Sequence, residues 1–255
     1  MEKRPYILAE TPLKEVQDMD YQVAILPWGA TEPHNFHLPY ATDNYETEAI
    51  AATSASMAWE AGAKVLVLPA IPFGVNSAQM DYPGCINMHA STQARILEDV
   101  VESLDNQGID KLVILNGHGG NNFKQMIREI LVTYPEMFIS AVDWYKVVDN
   151  SKYFDEPGDH AGEMETSLMQ LIAPHLVLPL SEAGLGKERK MVFQAHQDGW
   201  AWTPRDWPEV TEDSGIGNPA KATPEKGQKF MEDVCTALAG YFYELSVVDE
   251  EDYYD

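Results

Sequence analysis

Four short apolar runs, rich in β-branched residues, constrain this chain more than any other feature: Val23-Ala-Ile-Leu26, Lys64-Val-Leu-Val-Leu68, Lys111-Leu-Val-Ile-Leu115 and 137–142. Each has the length of a strand and no polar face, which reads as a buried strand. Between and after them lie helical segments at 44–59, 92–106, 123–132, 163–172 and 224–245. Strands that alternate with helices require crossover connections, which are right-handed in nearly all proteins and give parallel pairing. The fold class expected is α/β, a three-layer α/β/α sandwich with a mainly parallel central sheet.

Local signals mark the ends of these elements. A short opening helix is expected over 11–19 with Thr11 as its cap. Asp43 is placed to cap the helix that starts near Asn44, and Gly62 ends it. In the next helix Ile96, Val100 and Leu104 form the apolar stripe, with Gly108 beyond its end. Thr223 caps the last long helix, Val192 to Gln194 reads as an added strand, and 203–217 reads as loop. The stretch 69–88 is irregular and dominated by Pro, Gly and Asn. A loop of that length in a compact domain is either a wall of a site or an Ω-loop packed for its own sake.

In a parallel sheet the loops after the strands lie along one edge, where ligands usually bind. The first of these loops holds Glu32, His34, His37 and Asp43. Carboxylates and imidazoles this close suit Zn²⁺, Mn²⁺ or Fe²⁺. The spacing fits no helical zinc motif, because Glu32 and His34 would not share a helix face. The loop after the third run is Asn116-Gly-His118-Gly119-Gly120-Asn-Asn122. It lacks the Gly-Lys-Ser/Thr ending of a phosphate loop, although a phosphate at the following helix N-terminus stays open. Its glycines let His118 stand at the strand tip with the backbone close to a ligand. A third loop carries His160, followed by Glu163 and Glu165 at a helix start. Those two acids either complement the helix dipole or, for Glu165, complete a metal site. Two ions become possible if Asp43 bridges them.

The balance of 17 basic against 41 acidic residues gives a net charge of −24. That argues against nucleic acid and anionic membrane as partners. The acidic tail 249–255 is expected to fray. Two cysteines make no disulfide framework. The N-terminus has no signal-peptide core, and no apolar run approaches the ~20 residues of a membrane span, so a cytoplasmic location is expected. No repeat or low-complexity linker divides the chain, which reads as one domain over 1–255.

Three motifs, in order, resemble the creatininase family of metal-dependent amidohydrolases. Gly29, Glu32, His34, His37, Leu38, Pro39, Thr42 and Asp43 match its first motif, Asn116 to His118 its second, and His160, Gly162, Glu165, Thr166 and Ser167 its third. The resemblance implies two divalent ions, Zn, Mn or Fe, held by Glu32, His34, a bridging Asp43 and His118. It makes His160 the proton-shuttling residue and His37 a support behind a ligand. It places Trp144, unless that is simply a core tryptophan, with Asn116 and Gly119 against the substrate, and it implies a homo-oligomer, such as a hexamer built as a ring of dimers. Two positions depart from the pattern. Where the founding enzyme has a metal-binding Glu in its second motif, this chain has Gly120, so Glu165 becomes the fifth ligand, with a part in catalysis. Asn35 stands where the family usually has Gly.

The expected function is hydrolysis of a non-peptide C–N bond in a small cyclic or linear amide. Rivals are a deformylase acting on a nucleotide-derived formamide, a peptidase that matures a peptide-derived cofactor, and a metal-stabilised binding protein without turnover.

Overall fold

The computed structural model describes residues 3–254. Four strands form one sheet: β1 (Val23–Trp28), β2 (Val65–Val67), β3 (Lys111–Asn116) and β4 (Phe138–Asp143). All pairs are parallel, and the order is β2-β1-β3-β4. The helices are α1 (Leu13–Gln17), α2 (Thr42–Glu60), α3 (Ala90–Asp105), α4 (Lys124–Thr133), α5 (Glu163–Ile172), α6 (Gln194–Gln197), α7 (Trp207–Val210) and α8 (Pro224–Val247). The expected α/β sandwich is therefore present.

Alternation along β1 divides the core. Val23 and Ile25, with Val65, Val67, Val113 and Leu115, face a layer of α2, α5 and α8. Ala24, Leu26 and Trp28, with Leu66, Leu112 and Ile114, face α3 and α4. Phe230 and Phe242 of α8 are fully buried in the first layer, each contributing roughly 1.5–3 kcal/mol by burial. Small residues of α2, Ala51, Ala55 and Ala58, line the same core.

The strand order also fixes where a ligand can sit. From β1 the chain moves out to β2, then crosses to the other side of β1 to form β3. The loops after β1 and β3 thus diverge and leave a crevice between the strand ends, where Trp28 pairs with Asn116.

Several boundaries differ from expectation. Thr11 does not cap α1: its hydroxyl donates to the Ile7 carbonyl at 2.8 Å, and Pro12 precedes the helix. Helix α2 starts two residues earlier than expected, after Ala41, which leaves Asp43 inside the first turn and free of any capping bond. The buried stripe of α3 is Leu97, Val101 and Leu104. Ile96 and Val100 flank it, because the adjacent pairs Ile96-Leu97 and Val100-Val101 fit either register. Val192 to Gln194 is no strand, and Gln194 begins the single turn α6. Thr223 does cap α8, its hydroxyl accepting from Lys226 N. In the acidic tail Glu250–Asp252 forms a 3₁₀ turn, and Tyr253 packs on Phe138 with ring centroids 5.0 Å apart. Asp255 lies outside the described residues.

Where α8 crosses α5, Gly227 leaves no room: a Cβ there would run into the Ser167 carbonyl oxygen. Alanine gains about 1 kcal/mol of helix propensity over glycine, but overpacking against fixed backbone costs about 1–3 kcal/mol. Gly227→Ala is expected to lower stability despite its better propensity, measured as the midpoint of chemical denaturation. An unchanged or raised midpoint would show that the two helices can move apart.

Candidate metal centre

The first loop, the β3 loop and the start of α5 bring Glu32, His34, Asp43, His118, His160 and Glu165 together, all buried. Asp43 is the hinge of the cluster. Its Oδ1 lies 2.8 Å from His34 Nε2 and its Oδ2 3.1 Å from His118 Nδ1. Glu32 Oε1 is 2.9 Å from His118 Nδ1 and 3.8 Å from His160 Nδ1. Glu165 Oε1 is 3.9 Å from His34 Nε2.

Each histidine is oriented from behind by a backbone carbonyl. His34 Nδ1 donates to Glu32 O at 3.1 Å, His118 Nε2 to Val75 O at 3.1 Å, and His160 Nε2 to Pro33 O at 2.8 Å. A carbonyl only accepts, so these three nitrogens carry the proton and the opposite nitrogens face the cluster. Inward nitrogens fixed by an outer hydrogen bond are the arrangement that metal-binding imidazoles adopt.

The electrostatics are those of cation sites filled by protons. Burial pulls the His34 imidazole down, but the Asp43, Glu165 and Glu32 carboxylates outweigh it and raise it to about 10. His118 is likewise raised by Glu32 and Asp43 against the pull of burial. Burial pushes the Glu165 carboxyl up to about 7, with Asp43 and Glu32 adding to it and His34 opposing. His160 is lowered, by burial first and then by His34. A divalent ion competes with those inward protons for the same lone pairs. The donor set fits Zn²⁺ or Mn²⁺. Among the described residues three triads, Glu32/Asp43/His118, His34/Asp43/Glu165 and Glu32/His34/His160, each have their ligand atoms within 4.8 Å of one another; the first two share Asp43, and the third includes His160.

The other expected site residues fall in different places. His37 Nε2 lies 2.9 Å from Thr166 Oγ1, so it touches the residue next to Glu165. Asn116 is fully committed to the turn. Its amide donates to His118 O and Asp143, and its carbonyl accepts from His118 N and Asn121. Its side-chain nitrogen and oxygen are thus both engaged within the protein. Trp144 is 1% exposed and its indole donates to Thr47 at 3.0 Å. It braces α2 from beneath and presents no open face. Gly119 is exposed, with Tyr145 Oη 3.9 Å from where its Cβ would be. Glu163 accepts from Asp155 N, Glu156 N and Lys226, so it is held by the loop before α5 and by the start of α8.

Asn35 has φ +54°, the left-handed region that Gly and Asn both tolerate. Its side chain also exchanges hydrogen bonds with Gly184, which ties the metal-type loop to the 184 turn. Sequence reasoning missed Gln79, whose amide donates to Glu32 from the irregular 69–88 stretch. It also missed Glu46, buried on α2 with neither oxygen partnered. No motif or spacing marks either residue. Beside the cluster a cavity of about 360 Å³ is lined by Phe154, Gly158, His160, Gly162 and Glu165, among others.

A family profile, Creatininase (creatinine amidohydrolase), matches residues 9–242. Creatinine amidohydrolase from Pseudomonas putida is 28% identical over 178 residues, 61% of this chain and 66% of that protein. The mycofactocin precursor peptide peptidase of Mycolicibacterium smegmatis is 24% identical over 85% of this chain and 83% of its own. A crystal structure from Bacteroides fragilis, provisionally assigned as a creatinine amidohydrolase, is 44% identical over 100% of both chains, with a TM-score of 0.93. Creatininase structures described as Zn-Zn and Mn forms share the fold at 22% identity. Their TM-scores are 0.81 and 0.77, over 97% and 95% of this chain and 100% and 99% of theirs.

The two adjacent glycines of the β3 loop differ in room. A Cβ at Gly120 would run into Val75 O and His118 Nε2, the pair that orients His118, whereas one at Gly119 would meet only Tyr145 Oη at an ordinary contact distance. Gly120→Ala is expected to destabilise by about 1–3 kcal/mol, and Gly119→Ala to stay within about 0.5 kcal/mol, read as thermal midpoints. Equal effects at the two positions would remove the steric argument. The clash also rules out a glutamate at 120 as a simple replacement for the missing carboxylate.

Proposed function

The chain belongs to the creatininase family, and on that premise we propose that it hydrolyses the C–N bond of a small cyclic or linear amide with two divalent ions, Zn, Mn or Fe. The observation that carries this reading is the division of Asp43: one oxygen serves His34 and the other His118. Glu32, Asp43 and His118 would hold one ion, and His34, Asp43 and Glu165 the other, within a single amidohydrolase domain. Such ions, when bound, supply Lewis acidity toward a water and the substrate carbonyl.

The chain's own residues do the rest. His160 keeps Nε2 on Pro33 O, so Nδ1 is the atom that accepts a proton and passes it to the departing nitrogen. The Trp207 ring packs at a steep angle on the His160 ring, 4.8 Å between centroids, and limits water there. Gln79 holds Glu32 from the side of the 69–88 stretch. The cavity of about 360 Å³ beside His160 and Glu165 suits a small substrate. The peptidase among the relatives supports a second reading, in which the amide belongs to a short peptide. A turnover screen across creatinine, formamides and short peptides separates the two. Bound ions without turnover on any amide would instead favour a binding protein.

A cytoplasmic homo-oligomer completes the proposal. Among the described residues no helix is long and apolar enough to cross a membrane, and Cys85 and Cys235 are both unpaired. The segment 187–206 is almost wholly exposed and carries Val192, Phe193, Trp200 and Trp202, the two tryptophans 76% and 84% exposed. Large apolar side chains gathered in this way mark an interaction surface. Arg189 and Arg205 are already paired with Glu209 and with Asp159 and Glu188, which leaves Lys187 and Lys190 to meet the acidic surface of a second copy. Trp200→Ser with Trp202→Ser is expected to shift the native mass by light scattering toward the single chain. An unchanged oligomer would place the interface elsewhere.

Three substitutions separate ion binding from proton transfer. His160→Ala is expected to keep the metal content and lower kcat by ~10²–10⁴. Asp43→Ala strips both ions, and Glu165→Gln loses one, read as metal stoichiometry after dialysis. Metal lost in step with activity in His160→Ala would make His160 a ligand. A Glu165→Gln protein that still holds two ions would assign the second ion to other groups.

A further inference from the structure

Glu46 lies on α2 one turn beyond Asp43, on the same helix face by its i, i+3 spacing. It is 0% exposed, and neither of its carboxylate oxygens has a hydrogen-bond partner. A buried carboxylate without a donor or counter-charge is among the most costly groups a fold can carry. Among the described residues no lysine or arginine pairs with it. Burial pushes its carboxyl well above the usual range, and the charges that act on it, Glu165 and then Asp43, are of its own sign and add to that.

The charge count gives Glu46 a purpose. Among the described residues six acids are buried; Glu163 is neutralised by Lys226 and Asp213 is held by backbone amides of its own turn and of Gly186, which leaves Glu32, Asp43, Glu46 and Glu165. The inward nitrogens of His34 and His118 are neutral donors once an ion replaces their protons. Two divalent ions would bring four positive charges, and three carboxylates would leave one of those uncompensated in a water-poor interior whenever the water beside the ions keeps its proton. The turn at Gly119 and Gly120 has no carboxylate and, at 120, no room for one. We propose that Glu46 is the fourth carboxylate of the ion site, the charge-balancing group that lets the second ion bind beside Asp43 and Glu165. The inference rests on the two-ion reading of the site. It gives a buried, unpartnered acid a role that appears only when the ions are present.

The test uses the full chain, freed of metal by a chelator and titrated with Zn²⁺ against a chromophoric competitor, with thermal midpoints recorded with and without zinc. Wild type is expected to take up two ions per chain. Glu46→Gln and Glu46→Leu are expected to keep one tight ion and bind the second at least ~10-fold more weakly, the lower end of what losing a supporting group of a metal site does. Glu46→Asp, which keeps the charge, is expected to recover most of that loss. The zinc-free Glu46→Leu protein should melt at or above the wild-type midpoint, since an unpaired buried acid has been removed. If that variant does not fold, Glu46→Gln carries the comparison alone. Wild-type affinity for both ions in Glu46→Gln overturns the inference, and a lowered zinc-free midpoint with unchanged affinity would make Glu46 a structural residue. A wild-type protein that takes up no zinc removes the two-ion reading itself, a failure distinct from either of these.

Discussion

The site depends on a concentration of negative charge that the fold holds away from water. Asp43 is the centre of it, with one oxygen on His34 and the other on His118. Such a pairing is possible only because α2 begins after Ala41, which frees the Asp43 side chain from capping duty. The start of one helix thus sets the relation between two loops that come from β1 and β3. The sheet supplies the other half of the constraint. Its strand order opens a crevice between the ends of β1 and β3, and Asp43 projects into that gap from the helix that follows β1.

The support is mostly backbone. Three imidazoles rest on three carbonyls, from Glu32, Val75 and Pro33, so their inward faces are fixed without recruiting further charged side chains. Asn116 and Asn121 do the same for the β3 turn, and Gln93 holds Asn121 from α3. A charged partner in these places would have changed the balance at the ion site, whereas a carbonyl or an amide orients a ring and leaves the net charge alone. The stability that tolerates the crowded acids comes from the two apolar layers against the sheet, in which α2, α5 and α8 bury Ile50, Leu168, Phe230 and Phe242.

The sheet and the ion-type cluster were legible in the sequence because both are local signals. Each strand is a short apolar run, and each cluster residue sits in the loop just after a strand or at a helix start. What could not be read depends on packing between distant segments. Helix α2 is buried on several sides, polar at its start through Thr42, Asp43, Asn44, Glu46 and Thr47 and apolar toward its end. It therefore shows no stripe that would single out Glu46. Gln79 reaches Glu32 from 47 positions away in an aperiodic segment. Asn116 and Trp144 carry the chemistry of substrate contacts, and only the fold reveals that their polar atoms are spent on His118, Asp143, Asn121 and Thr47.

Ala161 shows how the third loop is made to fit the other two. It has φ +52°, a conformation that costs a non-glycine residue of order 1 kcal/mol or more. Two contacts hold it there. The Ala161 amide donates to the Glu165 carboxylate, and His160 on one side exchanges backbone hydrogen bonds with Ile216. The left-handed residue reverses the chain between His160 and the start of α5, so that an imidazole and a carboxylate five positions apart face one cluster. An ordinary helical entry would turn them away from each other. The local strain is thus the means by which the group proposed to move the proton and the carboxylate proposed to hold the second ion are set against the same buried charge.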